Sequence, residues 1–209
     1  MPVDKTESPI PSADSSALPE MRELTDPKTM RALTHPVRLS LLEALALEGP
    51  LTATEAGELI GESPTTCSFH FRQLAKYGFV EEAGHGPGRK RHWKLVDVWM
   101  NFTDVNDDAE TNIAAKGLER MVFDRAFARL HNFYDTRANF PKKWREASDS
   151  TQAVIYVTPD ELREVNTQIL SILQRYHPRL ADQSLRPKDA LPVELLAFAF
   201  PMRAPKVAP

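Results

Sequence analysis

The chain stops and restarts helix four times between residues 26 and 78, and this punctuation limits its fold more than any other feature. Proline fixes φ near the helical value and lacks an N–H that the first helical turn does not use, so it suits a helix start. Glycine reaches left-handed backbone angles without a Cβ clash, so it suits a helix end. Asp26-Pro27 supplies an N-cap and a first-turn proline, which predicts a helix over about 27–34. Pro36 opens a second helix with Val37, Leu41, Leu42 and Leu45 on one face, ending at Gly49-Pro50. Thr52 to Glu55 (TATE) is a capping box that starts a third helix, which stops near Gly61. Ser63-Pro64 opens the fourth, which stops at Gly78. Residues 79–83 and 91–96 then read as two short strands around a glycine turn.

Residues 1–24 are rich in proline, serine and scattered acids, with little apolar periodicity, and predict a disordered tail. The character changes again from about residue 97. Residues 107–139 predict a long helix, with Leu118, Val122, Phe123, Ala126, Phe127, Leu130 and Phe133 recurring at helical spacing. Residues 152–157, which include AVIYV, and 193–200 are strand candidates. Between them, Thr158 to Glu161 (TPDE) is a second capping box, opening a helix to about Tyr176. No internal repeat is present.

The formal net charge is −3, from 26 Lys and Arg against 29 Asp and Glu, so any binding of anions must come from local charge. Such a locality lies between Ser63 and Lys94, where six Lys and Arg face two acids. On the fourth helix, ESPTTCSFHFRQLAKY, steps of about 100° put Cys67, Phe71 and Leu74 on a core stripe. Thr65, Ser68, Phe69, Arg72 and Lys76 fall opposite. That outer face carries hydroxyls, one aromatic and two cations, with no acid. Hydroxyls can bond phosphates or base edges, Arg can bond guanine in bidentate fashion, and Phe69 can meet thymine methyls. The free amides at the helix head, beside Thr65 and Thr66, attract a phosphate. In GHGPGRKRHWKL, Gly84, Gly86 and Gly88 let a hairpin bend, and Arg89, Lys90 and Arg91 charge its tip. Two helices joined by a short turn, followed by a charged hairpin, make a helix-turn-helix with a wing that can straddle a phosphate backbone.

The segment LTHPVRLSLLEALALEGPLTATEAGELIGESPTTCSFHFRQLAKYGFVEEAGHGPGRKRHWKL resembles the winged helix-turn-helix of the arsenic-repressor (ArsR-like) family of bacterial transcription regulators. The resemblance rests on three groups of residues. These are His35, Pro36, Val37 and Arg38; then Ser63, Thr65, Thr66, Ser68 and His70; then Leu74, Gly78, Phe79 and Val80. It implies a homodimeric repressor of a palindromic operator, with recognition helix 63–77 in the major groove of double-stranded DNA and wing 84–92 on the backbone or minor groove. It adds Ser63, Thr66 and His70 to the DNA-contacting set. Half-sites would then lie about one helical turn, ~10 bp, apart. One departure is plain: the third helix, ATEAGELIG, lacks the cysteine pair of metal-sensing members. The fold expectation is α+β. A tail over 1–24 precedes a winged helix-turn-helix over 25–98. A long helix and a small α+β region over 99–209 then dimerise, sense an effector, or both.

Other readings are weaker on physical grounds. A winged helix can serve as a protein adaptor, since fold does not fix function. Cys67, His70, His85 and His92 suggest a soft-metal set, yet Cys67 lies on the core stripe and paired ligands are missing. No metal or cofactor is therefore expected. Phe123, Phe127, Phe133, Tyr134, Phe140 and Trp144 could line a pocket for a small apolar effector, but such stripes more often pack a core or a dimer. No catalytic spacing stands out, and GHGPG is not a phosphate loop because no GK[ST] follows it, so no enzyme is expected. His131 and His177 stand isolated. A single cysteine precludes an internal disulfide and fits a reducing cytoplasm. No apolar run reaches membrane-spanning length, and the N-terminus lacks a charged head before an apolar stretch. A cytoplasmic protein with no membrane partner is the expectation.

Overall fold

The computed structural model describes residues 21–85, 91–96 and 100–204, without the side chains of His85 and Ala181. The described chain forms two compact units. The first holds the residues up to Thr136 together with Pro178–Arg186, and the second holds Arg137–His177 with the residues from Pro187 onward.

In the first unit the helix signals act where the sequence puts them. α1 (Pro27–Leu33) is capped by Asp26, whose carboxylate accepts from the amides of Lys28 and Thr29. α2 (Pro36–Glu48) ends on Gly49 at φ 83°. α3 (Ala53–Ile60) carries the full capping box of Thr52 and Glu55 and ends on left-handed Gly61. α4 (Pro64–Lys76) is capped by Ser63. Among the described residues, five short strands complete the frame: β1 (Arg22–Glu23), β2 (Leu51–Thr52), β3 (Val80–His85), β4 (Arg91–Leu95) and β5 (Met100–Asn101). β4 lies antiparallel between β2 and β3, and β1 runs parallel to β5.

The core sits where α1, α2, α4 and the β2–β4–β3 sheet meet. Met30, Leu41, Phe71, Leu74 and Cys67 are fully enclosed. Phe71 stacks on Trp93 of β4 at 5.5 Å between ring centres, a pairing worth about 0.5–1.5 kcal/mol beyond the area it buries. The long helix expected after residue 97 is α5 (Ala109–Thr136), and it belongs to this unit. It packs on α1 through Ala114, Ala115 and Leu118, and Arg125 and Arg129 both reach Glu43 of α2 at 2.7 Å. The tail expected over residues 1–24 is corrected at its last residues. Residues 1–20 lie outside the described residues, but Arg22 and Glu23 form a strand and Leu24 is buried.

The second unit contains a single turn of 3-10 helix (Arg137–Asn139), α6 (Lys142–Ala147) and α7 (Pro159–Gln174). The capping box at Thr158 and Glu161 starts α7 as the sequence predicts. The strands expected at 152–157 and 193–200 do not form. Both stretches lack a ladder partner, and Tyr156 is wholly exposed. β-propensity reflects packing against a neighbouring strand, so an apolar run without one stays irregular. The mixed helix-and-strand class holds, but every strand among the described residues lies before Phe102. α8 (Pro178–Ala181) returns to the first unit, where Arg186 and Gln183 donate to the carbonyls of Leu47 and Glu48 at the end of α2.

Candidate nucleic-acid interface

The approach of α3 to α4 depends on Gly57 and Gly61. The Gly57 carbonyl accepts from the amides of both Gly61 and Glu62, which closes the turn. A Cβ on Gly57 would stand 2.6 Å from the Glu62 carbonyl oxygen, so only glycine lets the turn fold this closely over α3. Ser63 then restarts the helix. Its hydroxyl accepts from the Thr66 amide at 3.0 Å and shares a hydrogen bond of 2.8 Å with the Thr66 hydroxyl.

From that start, the side chains of α4 divide as their spacing predicts. Cys67, Phe71 and Leu74 are buried. Thr65, Phe69, Arg72 and Lys76 are exposed, and Thr66 and Ser68 are half-buried. Phe69 keeps 49% of its surface in water, a large apolar ring on an otherwise polar face. Arg72 Nε donates to the Ser68 carbonyl at 3.2 Å, which lays the guanidinium along the same face. The face carries no carboxylate, because α4 contains no acid.

His70 departs from its expected place. Only 6% of it is exposed, so it does not lie on the outer face. Its ring centre lies 4.4 Å from that of His35, the N-cap of α2, and Arg38 Nε donates to its Nδ1 at 3.4 Å. Arg38 also donates to the Ala32 carbonyl at 2.6 Å, so one guanidinium links the end of α1 to α4. Burial, and then the charges of His35 and Arg38, holds the His70 pKa below its ordinary value, while Glu62 acts in the opposite sense. Burial likewise pushes the Cys67 thiol up, away from the reactive thiolate. Among the described residues no three His, Cys, Asp or Glu side chains gather as metal ligands would.

The wing is partly described. Arg89 and Lys90, with Gly86 and Gly88, lie outside the described residues. Arg91 pairs with Glu82 at 3.0 Å and lies over the Trp93 ring, and Lys94 pairs with Glu81 at 2.9 Å. These ion pairs cross between β3 and β4, so part of the local positive excess is balanced within the hairpin.

One anchor escaped sequence reasoning. Arg22 donates to the carbonyls of Gly78 at 2.6 Å and Tyr77 at 2.7 Å, and its guanidinium lies 4.7 Å from the centre of the Phe79 ring. It neutralises the carbonyl end of the α4 dipole and ties β1 to the exit of that helix. No spacing rule marks it, because it sits in a polar stretch of tail-like composition. In the second unit, a cavity of about 500 Å³ is lined by Arg137, Ala138, Lys142, Arg145 and Glu146, and not by the aromatic residues weighed as an alternative apolar pocket.

A family model described as a helix-turn-helix domain matches residues 33–83, which span α2 to the first half of the hairpin. No curated protein matches the chain. Helix-turn-helix domains dock a second helix against DNA, and the match supports a DNA-binding regulator in general. No helix among the described residues is long and apolar enough to cross a membrane.

Proposed function

We propose that the chain is a sequence-specific regulator of transcription, a repressor of the ArsR-like kind, that binds double-stranded DNA as a homodimer. One observation carries this reading: α4 follows a tight turn and presents Thr65, Ser68, Phe69, Arg72 and Lys76 on an outer face without acids. A helix serving only as a solvated surface would mix both signs of charge. In this reading Thr65, Ser68, Phe69 and Arg72 reach base edges in the major groove. Ser63, Thr66, Lys76 and the amides at the head of α4 take phosphates. Arg89 and Lys90 contact the backbone or minor groove from the wing, and Arg91 joins them by exchanging Glu82 for a phosphate.

The homodimer is supported by α5. Phe123, Phe127, Leu130 and Tyr134 recur at helical spacing beside the buried face of the helix, and the last three are exposed. Two such stripes facing each other would bury what one leaves in water.

The test is binding to a labelled duplex from the protein's own promoter region and to a scrambled duplex, over a series of salt concentrations. Preference for the native duplex, with affinity falling steeply as salt rises, is the expected result. Absence of binding to any duplex at low salt would remove the DNA reading and favour a protein adaptor.

A further inference from the structure

His35 and His70 meet at the joint between the entry of α2 and the middle of α4, and each uses Nδ1 as an acceptor. His35 Nδ1 accepts from the Val37 amide at 3.2 Å, which caps α2. His70 Nδ1 accepts from Arg38 Nε. An Nδ1 that accepts is unprotonated, so both bonds need neutral rings. The guanidinium of Arg38 is always charged. The charged and titratable groups acting on His70 are His35 from the α2 cap, Arg38 from α2 and Glu62 from the turn before α4. The Ala32 carbonyl at the end of α1 already accepts from Arg38.

A proton on the His70 ring would therefore do two things at once. It would break the hydrogen bond at Nδ1, and it would place a second cation beside Arg38, where Glu62 is the one acid acting among the described residues. The ring centres are 4.4 Å apart, and His70 is nearly closed to water, so solvent screens this repulsion poorly.

We propose that His35, Arg38 and His70 form a proton-sensitive joint that positions α4 for DNA while the His70 ring is neutral and loosens it on acidification. Arg38 and His70 act as positioning residues: they touch no DNA and set where the outer face of α4 stands. The effect on DNA rests on the proposed DNA-binding function; the effect on folding does not. Because burial and neighbouring positive groups disfavour the protonated His70, the folded chain binds that proton less readily than the unfolded chain. Its contribution to stability is complete above about pH 6.5, the ordinary imidazole value, and is lost as pH falls from there through the lower folded value. One such group changes the folding constant by at most about tenfold per pH unit across that window.

The test follows the full chain from pH 7.5 to 5.5 by thermal melting, by promoter-duplex binding and by the histidine ring resonances. Wild type is expected to lose both melting temperature and duplex affinity, by up to about tenfold in affinity per pH unit below 6.5. His70→Gln, which accepts from Arg38 but does not titrate, should flatten both curves. His35→Asn, which keeps an N-capping oxygen, removes one of the groups that disfavour the His70 proton and should move the His70 titration towards the ordinary value. In wild type the His70 ring should titrate below 6.5 together with shifts in the amides of α4. Affinity that holds or rises on acidification, or a His70→Gln curve that falls like wild type, would overturn the proposal. So would a His70 ring that titrates at the ordinary value without moving α4. Melting and ring resonances need no DNA. They decide the joint even where no duplex binds, a result that would count against the DNA reading alone.

Discussion

Arg72 lies on the outer face of α4, held to the Ser68 carbonyl by one exposed hydrogen bond that a base edge can replace at little cost. A bidentate contact to guanine would make it the main source of selectivity at one base pair. Arg72→Ala is therefore expected to cost about 1–3 kcal/mol on the native duplex and to relax preference at that pair alone. Competition binding against single-base operator variants measures this, and unchanged selectivity would mean the outer face does not read bases. At this scale the sequence was legible wherever helical angle was followed. The angle was not followed for His70. It stands about 40° from Leu74 on the core stripe and about 160° from Arg72, and motif resemblance alone assigned it to DNA. Arg38 appeared in another group of the same resemblance without a role, because its partners, Ala32 and His70, come together only in the folded chain.

At the scale of elements, capping and breaking residues located α1 to α4 and α7 closely, since each signal acts on the backbone within one turn of itself. Strands were legible only when their partner was close in sequence. The hairpin of β3 and β4 formed as expected, whereas 152–157 and 193–200 found no neighbour. β1 was missed for the converse reason. It is two residues long, and its partner β5 lies far along the chain. Its importance lies in Arg22, which holds two carbonyls at the exit of α4 and covers Phe79. Arg22→Ala leaves those part-buried carbonyls without their charged donor, a loss of about 1–3 kcal/mol. A lower melting temperature, with faster hydrogen exchange at the amides that close the last turn of α4, is the expected outcome. Exchange that stays at the wild-type rate would show that the helix end is held without it.

For the whole molecule, the net charge of −3 means that, in the proposed function, affinity for DNA is concentrated in the proposed surface, which the proposed dimer would use twice. Each phosphate contact releases counterions, so Arg89→Ala should lower the slope of log affinity against log salt by about 1 per protomer and weaken all sequences alike. Doubling the surface requires a dimer, and α5 offers the stripe for it. Leu130 is exposed on the same side as Phe127 and Tyr134 and clear of the Ala114, Ala115 and Leu118 contacts that hold α5 to α1. A carboxylate placed there would enter an apolar seam in both protomers of the proposed dimer, where each must lose water without a cation to offset it. Leu130→Glu is thus expected to give a folded monomer by sedimentation velocity, with an unchanged helical spectrum. Its affinity for an isolated half-site should match wild type, while its affinity for the full operator should fall to that half-site value. A variant that still sediments as a dimer would place the interface elsewhere. A monomer that kept full operator affinity would mean that one protomer suffices, and that the operator need not be palindromic.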